Sequence, residues 1–346
     1  MNPKLSVIIP CYKAEKYLPK CIASLIGQTL DNYELIFIND GSPDNCADIL
    51  REWQEKYPDH IVTINKQNEG VWCARRDGIK KARGKYIGFL DSDDYAEPTF
   101  LEDLYTAAEK SNADIAVCGF SRIDLTSGKT LSREFCDKHD DFIIGNDPGR
   151  LLELNGALWN KLFRASTLKE IEDLKEKPQV VEDLLFHWLA YLKMNGRVVF
   201  VPKSLVNYTV HSDSAIQTIR PQQIALTYNA FKEVKQRYID EHASEEKNLA
   251  LDAAAFLHLG ISFNYRLATS PENNLKDACA ECNSFLDRYF PTWRNSPYIN
   301  LKYALAHGRT YRRLLIVATV YKLNLFPVFI SAYSRIIKTL NIDIKW

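Results

Sequence analysis

Short apolar runs alternate with longer segments of helical periodicity along the first third of the chain. Each run is rich in β-branched or aromatic side chains and is closed by turn residues, as is typical of a buried strand. Between the runs, apolar residues recur every three or four positions, which indicates the buried face of a helix. The pattern predicts strands at residues 5–10, 33–38, 61–64, 86–90 and 115–119, and helices at 17–28, 44–57, 70–82 and 99–111.

This alternation predicts an α/β fold with a doubly wound, mostly parallel sheet. Ligands bind such sheets at the carboxyl ends of the strands. Those ends carry Asn39 and Asp40 after the second strand, and Asp91, Asp93 and Asp94 after the fourth. We therefore expect a functional site at this edge of the sheet.

The pattern loosens after residue 123, with a polar stretch at 137–147 that predicts a loop. From residue 221 onward it becomes helical, and prolines separate the helices. We expect an α/β domain over residues 1–219, made of two parts at 1–120 and 121–219, and a helical region over 220–346.

The charge of the chain balances overall, with 44 basic and 44 acidic residues, which gives no reason to expect a nucleic acid partner. Its distribution is uneven, because residues 301–346 carry a net charge of +7 and the rest of the chain −7. The basic residues of this tail are Lys302, Arg309, Arg312, Arg313, Lys322, Arg335, Lys338 and Lys345.

The eight cysteines are scattered along a long chain, which favours reduced thiols in a cytoplasmic protein. Cys279 and Cys282 form a CxxC pair without a second pair at zinc-site spacing, so we interpret them as plain core or surface cysteines. The amino terminus has no apolar segment of signal-peptide length, which argues against secretion.

Three carboxylates within four positions raise one another's pKa unless a cation neutralises them. Carboxylate and hydroxyl oxygens suit Mg²⁺ or Mn²⁺ held together with substrate phosphates. One alternative is that Asp93 or Asp94 caps the next helix. Another is a phosphatase of the haloacid dehalogenase type with Asp91 as nucleophile, although Tyr95 stands where that family expects Thr or Val. Because Asp40 ends a neighbouring strand, we favour a site for a divalent metal and a phosphate.

Several motifs occur together in order and at matching strand ends: SVIIPCY at 6–12, NDGSPD at 39–44, NEG at 68–70, ARRDG at 74–78 and GFLDSDD at 88–94. In this combination the chain resembles family 2 glycosyltransferases, which have the GT-A fold. Two later segments, LWNKLF at 158–163 and VEDLLF at 181–186, are similar to the second half of that family. Lys13 and Asp77 depart from the usual asparagines.

The resemblance implies a nucleotide site in which Tyr12 stacks on the base and Asp40 accepts a ring N–H. That contact favours uracil and hence a UDP-sugar, while GDP and dTDP donors stay open. Asp91 would face the ribose, and Asp93 would bind the Mn²⁺ or Mg²⁺ that bridges the diphosphate. The implied nucleotide-binding residues are Pro10, Tyr12, Asp40, Asn68, Arg75, Asp91 and Ser92.

The resemblance also implies that Asp183, beside Glu182, is the base of an inverting transfer; the alternative is a solvated helix start. His211 lies where some relatives supply a metal ligand or a phosphate contact, and a role in neither is equally open. The implied contacts to acceptor or donor sugar are Asp94, Trp159 and Lys161, with core packing as the alternative for Trp159 and capping for Asp94.

The tail contains an apolar stretch at 314–333 that Lys322 and Pro327 interrupt, so it makes a poor membrane-spanning helix. Flanking arginines and lysines instead suggest a segment lying on an anionic membrane surface. The alternative is a helix packed on the catalytic domain.

Taken together, these features predict a metal-dependent inverting glycosyltransferase of GT-A fold. It would move a sugar from a nucleotide diphosphate to a glycan or lipid-linked acceptor in bacterial surface polysaccharide synthesis, as a cytoplasmic protein peripheral to the cell membrane. A phosphohydrolase and a non-enzymatic glycan-binding protein of the same fold remain the alternatives, and the oligomeric state stays open.

Overall fold

The structure is a computed structural model that describes residues 2–210, 221–269 and 275–340. The chain divides into two compact units. The first unit comprises Met1–Asn146, Gly156–Asp173 and Glu182–Ser212, and the second comprises Asp147–Asn155, Leu174–Val181 and Asp213–Trp346. The family resemblance assigns nucleotide binding to residues 1–120 and acceptor binding to residues 121–219, and this assignment stays a prediction.

A ten-stranded mixed sheet forms the centre of the first unit, with strand order β3-β2-β1-β4-β9-β6-β10-β5; β7 pairs with β6 and β8 with β10. The strands are β1 Leu5–Cys11, β2 Tyr33–Asp40, β3 Ile61–Lys66, β4 Tyr86–Phe89, β5 Tyr95–Ala96, β6 Ile115–Asp124, β7 Thr130–Glu134, β8 Phe142–Ile143, β9 Lys161–Arg164 and β10 Arg197–Val210.

Strands β1 to β4 run parallel to one another, which confirms the predicted α/β class. Beyond β4 the sheet changes direction, because β9 lies antiparallel between β4 and β6. Strand β10 then pairs parallel with β6 and is interrupted by register shifts around Ser204. The predicted loop at 137–147 is wrong at residues 142 and 143, which form the short strand β8 against β10.

Most helices of the first unit are amphipathic and bury an apolar face, whereas the helix that begins at Glu182 is buried at every position from 184 to 192. In the first of them, Leu18, Cys21, Ile22 and Leu25 are buried at spacings of three and four residues. Burying one such aliphatic side chain contributes about 1.5–3 kcal/mol. The helices are α1 Leu18–Ile26, α2 Cys46–Lys56, α3 Val71–Lys81, α4 Phe100–Ser111, α5 Ala165–Lys169 and α6 Glu182–Lys193.

The second unit is helical. Phe256 stacks on Trp293 with ring centroids 4.3 Å apart, and Tyr321 packs edge-on against Phe256 in the interior of this unit. Cys279 and Cys282 are buried free thiols there. Its helices are α7 Pro221–Asp240, α8 Glu245–Ala255, a π-helical segment Phe256–Phe263, α9 Asn264–Thr269, α10 Leu275–Tyr289, α11 Leu301–His307, α12 Arg309–Lys322 and α13 Phe326–Leu340.

Within the described residues, no helix combines the length and the apolar character that crossing a membrane requires.

Candidate active site

Tyr12 lies just beyond β1 and is 46% exposed, so its ring is open to a stacking partner. The Nζ of Lys13 is 5.3 Å from the centroid of that ring. Lys13 has a positive φ of 54°, a conformation that turns the chain sharply after the strand. The backbone N–H of Lys13 donates to Ser42 Oγ at 2.7 Å, which ties the Tyr12 loop to the loop after β2.

Asp44 reinforces the tie between these two loops. Its Oδ1 accepts from Ser42 Oγ at 2.5 Å, and its Oδ2 accepts the backbone N–H of Glu15 at 3.0 Å. Burial alone would raise the pKa of Asp44, but hydrogen bonds from Cys46, Ser42 and the backbone lower it to about 2. The NDGSPD motif therefore has a structural role, since its Ser and second Asp hold the Tyr12 loop.

Asp40 is buried at the end of β2, and both of its carboxylate oxygens accept backbone N–H groups. Oδ1 accepts from Glu69 at 3.0 Å and Oδ2 from Gly70 at 2.8 Å, immediately before α3. Each oxygen has a second lone pair, so a further donor can bind. Asn68 packs against Gly41, where an added Cβ would lie 2.6 Å from the Asn68 nitrogen and φ is +63°. Only glycine fits this approach.

Arg75 occupies the middle of the site, on α3, and is buried. Its Nη1 donates to Asp183 Oδ1, and its Nη2 donates to Asp91 Oδ1 at 3.0 Å. Burial alone would lower the pKa of Arg75, but the charges of Asp183 and Asp91 raise it above its ordinary value. A single guanidinium thus joins the carboxylate at the end of β4 to the one at the start of α6.

Glu182 and Asp183 begin α6. Burial raises the pKa of Asp183, against the opposing charge of Arg75. Burial and the neighbouring Asp183 raise the pKa of Glu182 to about 7. His187 Nδ1 lies 2.7 Å from the Asp183 carbonyl oxygen, one helical turn away. A carboxylate with a raised pKa is the better proton acceptor, which suits Asp183 to general-base chemistry.

The acidic segment after β4 folds as a tight turn in which the Asp94 N–H donates to the Asp91 carbonyl at 3.0 Å. Asp94 Oδ1 accepts the backbone N–H of Thr209 at 2.7 Å, and its buried Oδ2 has no hydrogen-bond partner. Burial, followed by the charges of Asp93 and Asp91, raises the pKa of Asp94. Ser92 is buried.

The helix-cap alternative for Asp93 and Asp94 is wrong. Strand β5 follows the acidic turn directly, and α4 begins only at Phe100 with Thr99 as its N-terminal flanking residue. The turn therefore faces the sheet edge rather than a helix start.

No group of three or more His, Cys, Asp or Glu side chains among the described residues is arranged to hold a metal ion by itself. His211, the further metal ligand that the sequence suggested, lies outside those residues. The unpaired buried oxygen of Asp94 and its raised pKa still mark excess negative charge at the turn. This fits a cation held by one or two carboxylates and completed by substrate phosphates, as Mg²⁺ is commonly bound.

Lys161 begins β9, and Trp159 lies two residues before it. Strand β9 borders β4 on the side away from β1. Trp159 is buried, stacked on Tyr208 at a centroid distance of 5.3 Å and edge-on to Phe120 at 4.6 Å. Lys161 is fully buried, and its Nζ donates to the Ala157 carbonyl at 2.6 Å. Burial lowers the pKa of Lys161 to about 7, although the charges of Cys118 and Asp183 oppose the shift.

The structure thus brings Arg75, Asp91 and Asp183 into direct contact, and it gives Tyr12 and Asp40 firmly tied positions. Pro10 is a buried residue of β1. Two backbone features of the site were not predictable from the sequence. The Thr209 N–H that binds Asp94 left no signal, since a backbone donor is the same for almost every residue type. Val181, just before α6, has a φ of 55°, which a β-branched residue does not suggest.

Comparisons with known proteins agree on one family. The family described as Glycosyl transferase family 2 matches residues 6–171. EpsH of Bacillus subtilis is 30% identical over 281 residues, covering 79% of this chain and 80% of its own. The poly(ribitol-phosphate) beta-glucosyltransferase of Bacillus spizizenii is 32% identical over 196 residues, covering 55% of this chain and 30% of its own.

Among solved structures, S. aureus TarS 1–349 in complex with UDP-GlcNAc matches with a TM-score of 0.67 and 21% identity, covering 93% of this chain and 92% of that one. This likeness shows the fold, which is that of a GT-A-type glycosyltransferase. With the family match and the EpsH alignment, it establishes that the chain belongs to glycosyl transferase family 2.

Proposed function

We propose that this glycosyltransferase moves a hexosyl or N-acetylhexosaminyl group from a UDP-sugar to a glycan or lipid-linked acceptor, with inversion, in bacterial surface polysaccharide synthesis. The observation that carries the proposal is the double contact of Arg75 with Asp183 and Asp91. The guanidinium of Arg75 bridges the proposed base, Asp183, and Asp91 of the acidic turn, where a diphosphate would bind.

The donor assignment draws on the nucleotide end of the site. The exposed ring of Tyr12 is free to stack on a base, and Asp40 has lone pairs left for a ring N–H. A structural neighbour binds UDP-GlcNAc on the same fold, which supports a uridine nucleotide. Asn68, the further residue proposed to contact the nucleotide, packs against Gly41, which directly follows Asp40.

In the proposed transfer, Asp183 accepts the proton of the attacking acceptor hydroxyl, and the bond from the anomeric carbon to the diphosphate breaks on the opposite face. Arg75, whose charge is secure, stabilises the negative charge that develops on the diphosphate. Asp91 and Asp93 would hold Mn²⁺ or Mg²⁺, which when bound supplies further positive charge to that leaving group. Asp94 and Lys161 are the proposed polar contacts on the sugar side.

The acceptor proposal draws on a relative whose name gives poly(ribitol-phosphate) as its glycosylated polymer. A polymer or lipid-linked chain built at the membrane is the acceptor class that this suggests. We accordingly propose a cytoplasmic enzyme, peripheral to the inner face of the cell membrane.

A donor screen tests the proposal. Hydrolysis and transfer are measured with UDP-, GDP- and dTDP-sugars in the presence of Mn²⁺, Mg²⁺ or EDTA. We expect turnover of a UDP-sugar that EDTA abolishes and that Asp93→Ala lowers by roughly 100-fold or more. Full metal-dependent activity of Asp93→Ala would overturn the metal assignment, and release of inorganic phosphate without a sugar product would indicate a phosphohydrolase.

A further inference from the structure

The end of the second unit exposes an unusual concentration of large apolar side chains. Of the eleven such residues that are exposed in the described part of the chain, six lie between residues 301 and 328. A single exposed leucine is ordinary, whereas a cluster marks an interaction surface. The six are Leu301, Leu305, Ile316, Leu323, Leu325 and Val328, which we call the apolar cluster.

Helix α12 shows how this surface is built. Its inner face is packed into the second unit by Tyr311, Leu314, Val317, Ala318 and Tyr321. Its outer face carries Arg309, Arg312 and Arg313 in the first turns; Ile316 follows at helical spacing, and Leu323 lies directly after the helix. Ile316 is 60% exposed and Leu323 is 62% exposed, although the inner face of the same helix is well buried. The outer face therefore combines cations with apolar side chains.

The segment that carries the apolar cluster has charges of a single sign, and the carboxylate near it, Asp147, is bonded to Tyr303 and lies 3.4 Å from His307 on α11. From residue 288 to residue 340 the chain contains no aspartate or glutamate. Five exposed cations lie in the same segment of the chain, and none of them forms an ion pair with a described carboxylate. They are Lys302, Arg309, Arg312, Arg313 and Lys322, which we call the basic flank.

We propose that α11, α12 and the start of α13 form a face that docks on an anionic lipid bilayer, with the apolar cluster entering the headgroup region and the basic flank binding lipid phosphates. An exposed apolar face with flanking Lys and Arg and no acidic residue is the composition of an interfacial helix. Each cation near an anionic leaflet adds to the binding, within the short range that salt screening allows.

The apolar cluster is what favours a bilayer over a soluble polyanion such as a phosphodiester polymer. Such a polymer binds cations and gains nothing from six exposed aliphatic side chains. The inference deepens the peripheral location proposed above and is independent of the transfer chemistry, so the donor screen and the vesicle experiment can fail separately.

Vesicle flotation of the full chain tests the face. We expect binding to phosphatidylcholine vesicles that contain phosphatidylglycerol and weak binding to phosphatidylcholine alone. Replacing Arg309, Arg312 and Arg313 by Gln should lower the partition coefficient by on the order of 100-fold, about fivefold for each cation. Salt at about 1 M, where the screening length is about 3 Å, should do the same.

The decisive variant is Ile316→Ser, Leu323→Ser and Val328→Ser combined, since these exposed positions leave the packed interior intact. We expect it to lower vesicle binding by on the order of tenfold or more while UDP-sugar hydrolysis is unchanged. The matched control is Ile239→Ser, an exposed apolar residue of α7 outside the cluster, which should bind like the wild type.

Three results would overturn the proposal. The first is no flotation of the wild type with anionic vesicles. The second is equal binding by the triple serine variant, together with release by soluble polyphosphate, which would assign the basic flank to a polyanion. The third is a wild-type dimer in light scattering that the triple serine variant converts to a monomer without any vesicle binding, which would assign the cluster to a second copy of the chain.

Discussion

Arg75 is the residue whose chemistry the site depends on most. Its planar guanidinium offers donors in several directions, so it reaches Asp183 with one nitrogen and Asp91 with another. A lysine ammonium is a single point charge and cannot span both carboxylates in the same way. The arginine also keeps two nearby carboxylates from repelling each other while no diphosphate is present.

Arg75→Lys is therefore expected to weaken donor binding and lower turnover, each by on the order of tenfold or more, because one charge-assisted hydrogen bond is lost. Donor affinity is measured by calorimetry and turnover by nucleotide release. Arg76→Lys is the matched control, since the neighbouring Arg76 bonds Asp173 at 2.9 Å and the backbone of α5 and its flank. That variant should lose stability and keep the donor affinity; equal loss of affinity in both variants would contradict the role of Arg75.

The raised pKa of Glu182 predicts how the stability of the protein depends on pH. Its pKa is about 7 in the folded protein against an ordinary value of 4.5, so the folded state binds the proton more tightly than the unfolded state. The stability that it contributes is present at low pH and is lost as the pH rises from about 4.5 to about 7. Glu182→Gln removes this dependence.

In urea unfolding of the metal-free protein, the free energy of unfolding of the wild type should fall relative to Glu182→Gln by at most about 1.4 kcal/mol per pH unit in that window. A constant difference between the two proteins across the window would contradict the raised pKa of Glu182.

At the scale of the elements, the turn that precedes β4 lies close against β1. This contact positions the acidic segment that follows β4. Gly84 N–H donates to Ser6 Oγ at 2.9 Å, and Ser6 Oγ donates to the buried Glu34 at 2.6 Å. A Cβ on Gly84 would lie 2.5 Å from the backbone of Leu5 and Ser6. Backbone atoms cannot rotate out of the way, so the two strands would have to separate.

Gly84→Ala is accordingly expected to lower the free energy of unfolding by about 1–3 kcal/mol. Gly156→Ala is the control, because an added Cβ there meets nothing within 4 Å. It should change stability by less than about 0.5 kcal/mol. Thermal and urea unfolding measure both, and equal effects of the two substitutions would contradict the packing at Gly84.

The sequence predicted the elements that repeat regularly and missed those that do not. Strands β1, β2 and β4 are continuous, mainly apolar runs because both of their faces are buried, and the helices between the first four strands carry clear periodicity. Strands β9 and β10 were missed. The first is only four residues long and inserts antiparallel, and the second mixes buried and exposed positions around its register shifts.

The sequence likewise predicted part of the candidate site and missed the rest. The strand ends located Asp40 and the acidic turn, since the carboxyl ends of parallel strands share one edge. The ion pair between Arg75 and Asp183 joins residues 108 positions apart, and no local pattern encodes such a contact. Its partners were suggested by the family resemblance alone, and their catalytic roles stay predictions.

At the scale of the whole molecule, the chain combines a sheet unit that carries the candidate site with a helical unit that carries the apolar cluster and the basic flank. The chain has no net charge, because the +7 of residues 301–346 offsets −7 spread over the rest of the chain. An enzyme that builds surface polysaccharide on lipid-linked chains would use such a division to stay near its acceptor. The vesicle experiment tests the helical unit, and the donor experiment tests the sheet unit.

The central claim is that Asp183 is the base of a transfer from a UDP-sugar, and turnover of Asp183→Asn at saturating donor tests it most directly. We predict a loss of kcat by on the order of 100- to 10,000-fold, while calorimetry shows a donor affinity that is unchanged or tighter, because Arg75 is freed for the diphosphate. Turnover within about twofold of the wild type at equal donor saturation would contradict the account.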